Sequence, residues 1–561
     1  MSNEIFTPIT LWEDFTLEHL PIVETIGEFV DGDIAVTRFY LKGRTLSDGE
    51  VKIYGAIARN KQKNKMPGIF VVQDFRDAAD ETLICHLAER GYAALTFDFA
   101  GDSGINGNHS VYPDSLSGIN YKNCYDKLTS LKGDAKSSPW YEWGVTARYA
   151  FDYLASLPFV TKIGAIGIGE AANLVWHISA TDMRLNCATF VMNAGWKAYR
   201  GMNKFKTGSV PEFSGEMLRY LACIEPQSYA AHVKCPALLL VATNSNKFDF
   251  DRAYDTLSRI NPGIYSSIDY SVEARDSVCA ENVKTMEIFF ARYLKNSKEE
   301  LPRETALDGE ISNGKLFIKV TPDFENLEEV YVYVAEQAET PCLRSWKKLT
   351  ECYKTESGEF CFEYQPYSGS GGVLFFARSI YKSGYSVGSN VICKKFQPED
   401  VLLSYRSNVI YSSRIPGTES VFTPALENHV KPSGLNIFED NTVKIKKGPM
   451  GITGVCCFGG LLSFCLGTEK YMPKEDAILM IDLYVKQDSV LTVKLITDYF
   501  ENKIEYVAKV KINGANAWRN VKLERTDFKT EQGMGLKGFE KIQALIIDAE
   551  GEHLINNVLW V

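Results

Sequence analysis

Histidine is sparse and unevenly placed: there are seven in 561 residues, and none lies between His232 and His429. Chemistry that needs an imidazole from that span is excluded. No apolar run approaches the ~18 residues a membrane span requires. The longest compact one, residues 237–242, is the size of a strand. Basic blocks are also missing: Lys+Arg is 61 against 71 Asp+Glu, a formal net charge of -10. Such a balance argues against a nucleic-acid or anionic-membrane partner. The thirteen cysteines include no Cys-x-x-Cys pair and no Cys/His cluster. A metal centre is therefore not expected, and nothing in the chain calls for a cofactor. Met1-Ser2-Asn3-Glu4-Ile5 has neither the basic region nor the apolar core of a secretory signal. The expectation is a cytoplasmic protein with reduced thiols.

What is present divides into three blocks. From about residue 35 to 294, strand-like and helix-like segments alternate. This pattern predicts a mainly parallel sheet with helices on both faces. Residues 51–57, 68–72, 92–97, 163–168, 187–192, 237–242 and 267–272 read as strands. Helices are expected at 81–90, 140–156, 170–179 and 281–294. In the helix at 140–156, Ala147, Ala150, Phe151 and Leu154 form one apolar stripe. A long polar stretch, 102–138, reads as an irregular segment of the kind that covers a site. The polar linker 295–300 ends the block. Residues 303–396 and 400–561 read as strands almost throughout, so the expected domains are 1–298, 303–396 and 400–561.

The sequence Gly167-Ile168-Gly169-Glu170-Ala171 falls at a strand-to-helix turn. α/β-Hydrolases place their nucleophile elbow, G-x-S-x-G, at such a turn. Phe97-Asp98-Phe99-Ala100-Gly101 upstream and residues 236–244 downstream occupy the places of the preceding turn and the acid-bearing strand. With Trp140-Tyr141 and Asp152-Tyr153-Leu154, these segments resemble bacterial α/β-hydrolases of the acetylxylan-esterase, dienelactone-hydrolase and prolyl-oligopeptidase type. The resemblance covers roughly residues 35–295.

It implies a catalytic triad, and all three positions depart from one. The nucleophile position is Gly169, the acid position Ser245 and the histidine position Ala274. Losing a triad serine or histidine costs on the order of 10⁶ in turnover. Substitutes are few. Glu170 reads as an N-terminal helix acid placed by the dipole. Asp249 and Asp251 read as loop and helix-start residues, Asp98 as the organiser of its own turn, Ser103 as a turn residue and His109 as a solvated loop histidine. Gln73, Asp74 and Phe75, on the loop after the 68–72 strand, are expected with Glu170 to line a ligand cleft, because ligands sit beyond the carboxyl ends of parallel strands.

In the second block, Val320-Thr321-Pro322-Asp323, Val330-Tyr331-Val332-Tyr333, Arg344-Ser345-Trp346 and Phe376-Ala377-Arg378 resemble the β-sandwiches that follow some of these hydrolases. An immunoglobulin-like sandwich is expected. The third block resembles a galactose-binding-like jelly roll, through Trp518-Arg519-Asn520-Val521 and Ile555-Asn556-Asn557-Val558-Leu559-Trp560. Trp518 and Trp560 read as core residues. The leading expectation is a non-catalytic hydrolase homologue that binds a small molecule or carbohydrate, such as an acylated glycan. The alternative is an active carboxylic-ester hydrolase with substitute groups.

Overall fold

The computed structural model describes residues 5–561 apart from 76–78, 102–106, 125, 126, 130, 132, 201, 207–211, 339, 368–370, 398–404, 426–433, 436–441 and 515. A nine-stranded sheet organises the N-terminal unit. Its strands are β1 (Val23–Asp31), β2 (Ile34–Leu46), β3 (Gly49–Asn60), β4 (Met66–Val72), β5 (Ala93–Phe97), β6 (Val160–Ile168), β7 (Leu185–Val191), β8 (Ala237–Ala242) and β9 (Ser266–Ser271). They lie in the order β1-β2-β3-β5-β4-β6-β7-β8-β9. β1 to β3 are antiparallel, and β3 meets β5 antiparallel. Every later pairing is parallel. An antiparallel edge leading through one strand crossing into a parallel run is the α/β-hydrolase order.

The local chemistry is ordinary for this fold. β8 is apolar at all six positions and fully buried, as a strand covered on both faces must be. Asp80 caps helix Glu81–Glu89 by accepting from the Thr82 N–H at 2.8 Å. Ser138 caps helix Pro139–Ser156, whose first residue is a proline, where no N–H is needed. The helix read as 170–179 begins only at Ala172, after a single tight turn over Gly169–Ala171. The 102–138 stretch is more ordered than its polarity suggests. Among its described residues are the short helices Asp114–Ile119, Tyr121–Cys124 and Ala135–Ser137.

Two all-β units follow. The middle one packs a sheet containing Lys315–Thr321 against a sheet containing Leu327–Glu336 and Gly372–Tyr381. Between the sheets lie Leu316, Ile318 and Val320, facing Val330, Val332 and Val334. Successive side chains alternate faces. Tyr333, Ala335 and Phe376 therefore point the other way, into the N-terminal unit's own core with Phe250 and Tyr270. The rings of Phe376 and Tyr270 are 4.6 Å apart. The second sheet of the middle unit is thus covered on both faces. The C-terminal unit has a separate core, built from residues such as Ile481, Leu483, Val493, Leu495 and Ile547.

Buried charge ties the units together. Arg344 of the middle unit forms a two-bond pair with Asp251 of the first, both essentially inaccessible. Arg378 reaches Asp269 on β9 at 2.7 Å. Lys470 of the last unit meets Glu336 of the middle one at 2.9 Å. A fourth tie is backbone: Gly434–Leu435 pairs in parallel with Ser277–Val278. Gly434 has φ +93°, and a Cβ there would stand 2.4 Å from Ile168 Cγ2, so only glycine fits that approach. Among the described residues no helix is long and apolar enough to cross a membrane, no disulfide forms, and no group of His, Cys, Asp or Glu is placed to hold a metal ion.

Candidate functional site

β6 ends at Ile168, and the chain turns at Gly169 with φ +60°. This is the left-handed region that glycine enters without penalty. A Cβ on Gly169 would lie 2.8 Å from both Cγ and Oδ2 of Asp74. The carboxyl group of the loop after β4 therefore fills the space a nucleophile's side chain would use. Restoring a hydroxyl by Gly169→Ser is expected to cost ~1–3 kcal/mol through the positive φ. The added side chain also has to displace Asp74. No ester turnover is expected from this variant, because triad members act as a unit. Denaturant midpoints and an ester assay read both effects; turnover in the single variant would reveal a base elsewhere.

Ser245 and Ala274, the positions expected from the sequence for the acid and the histidine, both have structural surroundings. Ser245 is buried, and its hydroxyl accepts from the Lys247 N–H at 3.1 Å. Ala274 follows Glu273, whose φ is +59°, and its carbonyl accepts from the Asn244 N–H at 2.9 Å. Glu273 is itself buried. It accepts from the Trp346 N–H of the middle unit, and burial drives its carboxyl well above the usual range. The turn after β9 thus receives the middle unit.

The cleft beside the elbow encloses only about 30 Å³, room for about one water. Polar side chains close it. Asn193 donates to the Gly169 carbonyl at 2.8 Å and to Asn173 Oδ1 at 3.1 Å. Lys197 pairs with Glu170 at 2.5 Å. Glu225 is buried, accepts from the Trp196 and Lys197 N–H groups at 2.9 and 2.7 Å, and has its carboxyl raised by burial. Asn193, Lys197 and Glu225 carry no sequence motif. Only the strand order brings them to Gly169.

The expected lining residues separate. Glu170 does line this small cleft. Gln73 is buried, its amide donating to the Asp80 carbonyl and to Thr96 Oγ1 at 2.7 and 3.1 Å. Phe75 is 5% exposed and stacks on Tyr121 at 4.3 Å, with Phe99 and Trp143 at 5.5 and 5.3 Å. It is a core ring, in place of the expected cleft residue. Asp98 orders its turn by accepting from Ala100, Gly101 and Ser110 N–H groups. His109 is exposed. Ser103 lies outside the described residues. Asp249 caps the turn at Phe250–Arg252 and pairs with Arg252 at 2.7 Å, and burial pushes its carboxyl up to about 7. His177 stands on the helix after the elbow, but its ring stacks on Tyr229 and its Nε2 meets the Ile224 carbonyl at 2.9 Å. Burial lowers it to about 3, so it stays neutral and structural.

No family model matches the chain, and no curated protein matches it in sequence. Solved structures do align with part of it. An acetyl xylan esterase from Paenibacillus sp. R4 is 16% identical over 51% of this chain and 92% of its own, with a TM-score of 0.39. A putative dienelactone hydrolase from Klebsiella pneumoniae is 17% identical over 43% and 87%, with a TM-score of 0.29. The acylaminoacyl peptidase of Pyrococcus horikoshii is 13% identical over 49% of this chain and 50% of its own, with a TM-score of 0.33. Likenesses at this level carry no activity across. The hydrolase fold assigned to residues 23–294 rests on the strand order given above.

Proposed function

We propose that this chain is a hydrolase-fold protein that binds a small organic ligand and has given up Ser-His-Asp catalysis. The observation that carries this reading is the Asp74 carboxyl at the Gly169 elbow, where a nucleophile's side chain would stand. The span without histidine after His232 supports it, since the base of such a triad comes from the turn after the last strand. So does the small volume, about 30 Å³, of the cleft that Glu170 and Asn193 line among the described residues. An ester and its tetrahedral intermediate need more than one water's volume next to the nucleophile. In the same reading the middle unit is an immunoglobulin-like sandwich and the last a jelly roll, both serving to frame a binding surface.

The test is an active-site serine probe, a fluorophosphonate, together with a panel of acetyl and aryl esters on the full chain. No serine in residues 35–295 is expected to be labelled, and no ester to be turned over above the buffer rate. Stoichiometric labelling, or turnover that survives repurification, would overturn the proposal.

A further inference from the structure

The largest concavity among the clefts described lies away from the elbow, where all three units meet. It encloses about 630 Å³, within the range of small-molecule sites. Ser245, Asn246 and Phe248 of the N-terminal unit form one wall, Pro341 and Leu343 of the middle unit a second, and Phe500 and Gln543 of the last unit a third. No single unit contains this site. It exists because the Arg344–Asp251 pair and the Leu343–Phe464 packing hold the walls together.

Its chemistry is lopsided. Phe248, Phe250 and Phe500 give it ring faces, and Phe500 is held by a stacked contact with Phe464 at 5.9 Å. Asp498 and Glu501 stand on the same wall as Phe500, and neither carboxylate has an ion pair among the described residues. Arg200 is the cationic side chain of the lining, and its Nε is committed to the Asn246 carbonyl. Asp249 is matched by Arg252. An anion entering would meet the Arg200 guanidinium, whose charge a carbonyl does not cancel, but also two carboxylates that outnumber it. A neutral ligand would strip water from them and return no counter-charge. A cation with an apolar body satisfies both the rings and the carboxylates.

We infer that this three-unit cleft is a binding site for an organic cation, a protonated amine carried on an apolar or aromatic body. The inference rests on the binding reading above and is independent of the loss of catalysis. Asp498 and Glu501 hold the ammonium, while Phe500 and Phe248 take the body.

The test uses the full chain and four probes: 2-phenylethylamine, its neutral isostere 2-phenylethanol, the anion 3-phenylpropionate, and the neutral sugar cellobiose. Thermal shift and titration calorimetry read binding. The amine alone is expected to raise the melting temperature in a concentration-dependent way. The variant Asp498→Asn/Glu501→Gln is expected to bind it at least tenfold more weakly, with an unliganded melting temperature near that of the parent. Asn suits the positive φ of +50° at position 498, so the backbone is kept. Equal shifts by amine and alcohol, or undiminished binding by the double variant, would overturn the charge assignment. A shift by cellobiose alone would make the cleft a sugar site, and no shift by any probe would remove the site. Ester turnover accompanied by charge-dependent amine binding would overturn only the non-catalytic reading.

Discussion

Phe75→Ala is expected to destabilise the protein by about 3–5 kcal/mol, the range for deleting a buried aromatic ring. The ring is enclosed by Phe99, Tyr121, Trp140 and Trp143. Its removal opens a void beneath the loop that carries Asp74, the residue that occupies the elbow. Tyr121 belongs to the segment folded over this core, so the loss should reach residues 114–124 as well. A denaturant midpoint on the full chain measures the effect, and Phe75→Leu should recover much of it. An unchanged midpoint would mean that the ring faces a cleft after all.

A comparable loss is expected at the seam between the first two units. Asp269 accepts from Arg378 at 2.7 and 3.1 Å, from Asn282 at 2.6 Å and from the Ser386 hydroxyl at 2.5 Å. Asp269→Ala leaves a buried guanidinium whose remaining carboxylate partner, Glu281, is largely exposed. Breaking one side of a buried pair in this way costs about 3–5 kcal/mol. Replacing both partners, as Asp269→Leu/Arg378→Met, should cost far less, since neither charge is then stranded. If the single variant loses less than the double one, the pair is not what holds this seam.

Much of the first unit was legible because its signals are local. An apolar run such as 237–242, the stripe of Ala147, Ala150, Phe151 and Leu154 and a Gly-x-Gly turn after a strand each declare themselves within a few residues. The lack of histidine between His232 and His429 was legible for a different reason, since a count of histidines needs no geometry. β1 escaped the reading because most of its side chains are exposed, so it shows no apolar alternation. Phe75 was misplaced because its partners are 24 to 68 residues away and only the closed sheet gathers them. The contact of Asp74 with Gly169 has the same cause. Asp251 read as a loop or helix-start residue, and its burial against Arg344 depends on a unit whose sequence block gives no sign of where it docks.

The sheet of Leu327–Glu336 and Gly372–Tyr381, apolar on both faces, bears on what a fragment of this protein can be. The first two sequence blocks share one core. A chain ended near residue 300 would leave Phe250 and Tyr270 facing water and Asp251 and Asp269 without their arginines. The middle block alone would present Tyr333 and Phe376 on an open face, a surface prone to association. Local opening that reaches one unit must therefore expose part of another. Amide exchange from these two strands is therefore expected to follow global unfolding more closely than local fluctuation.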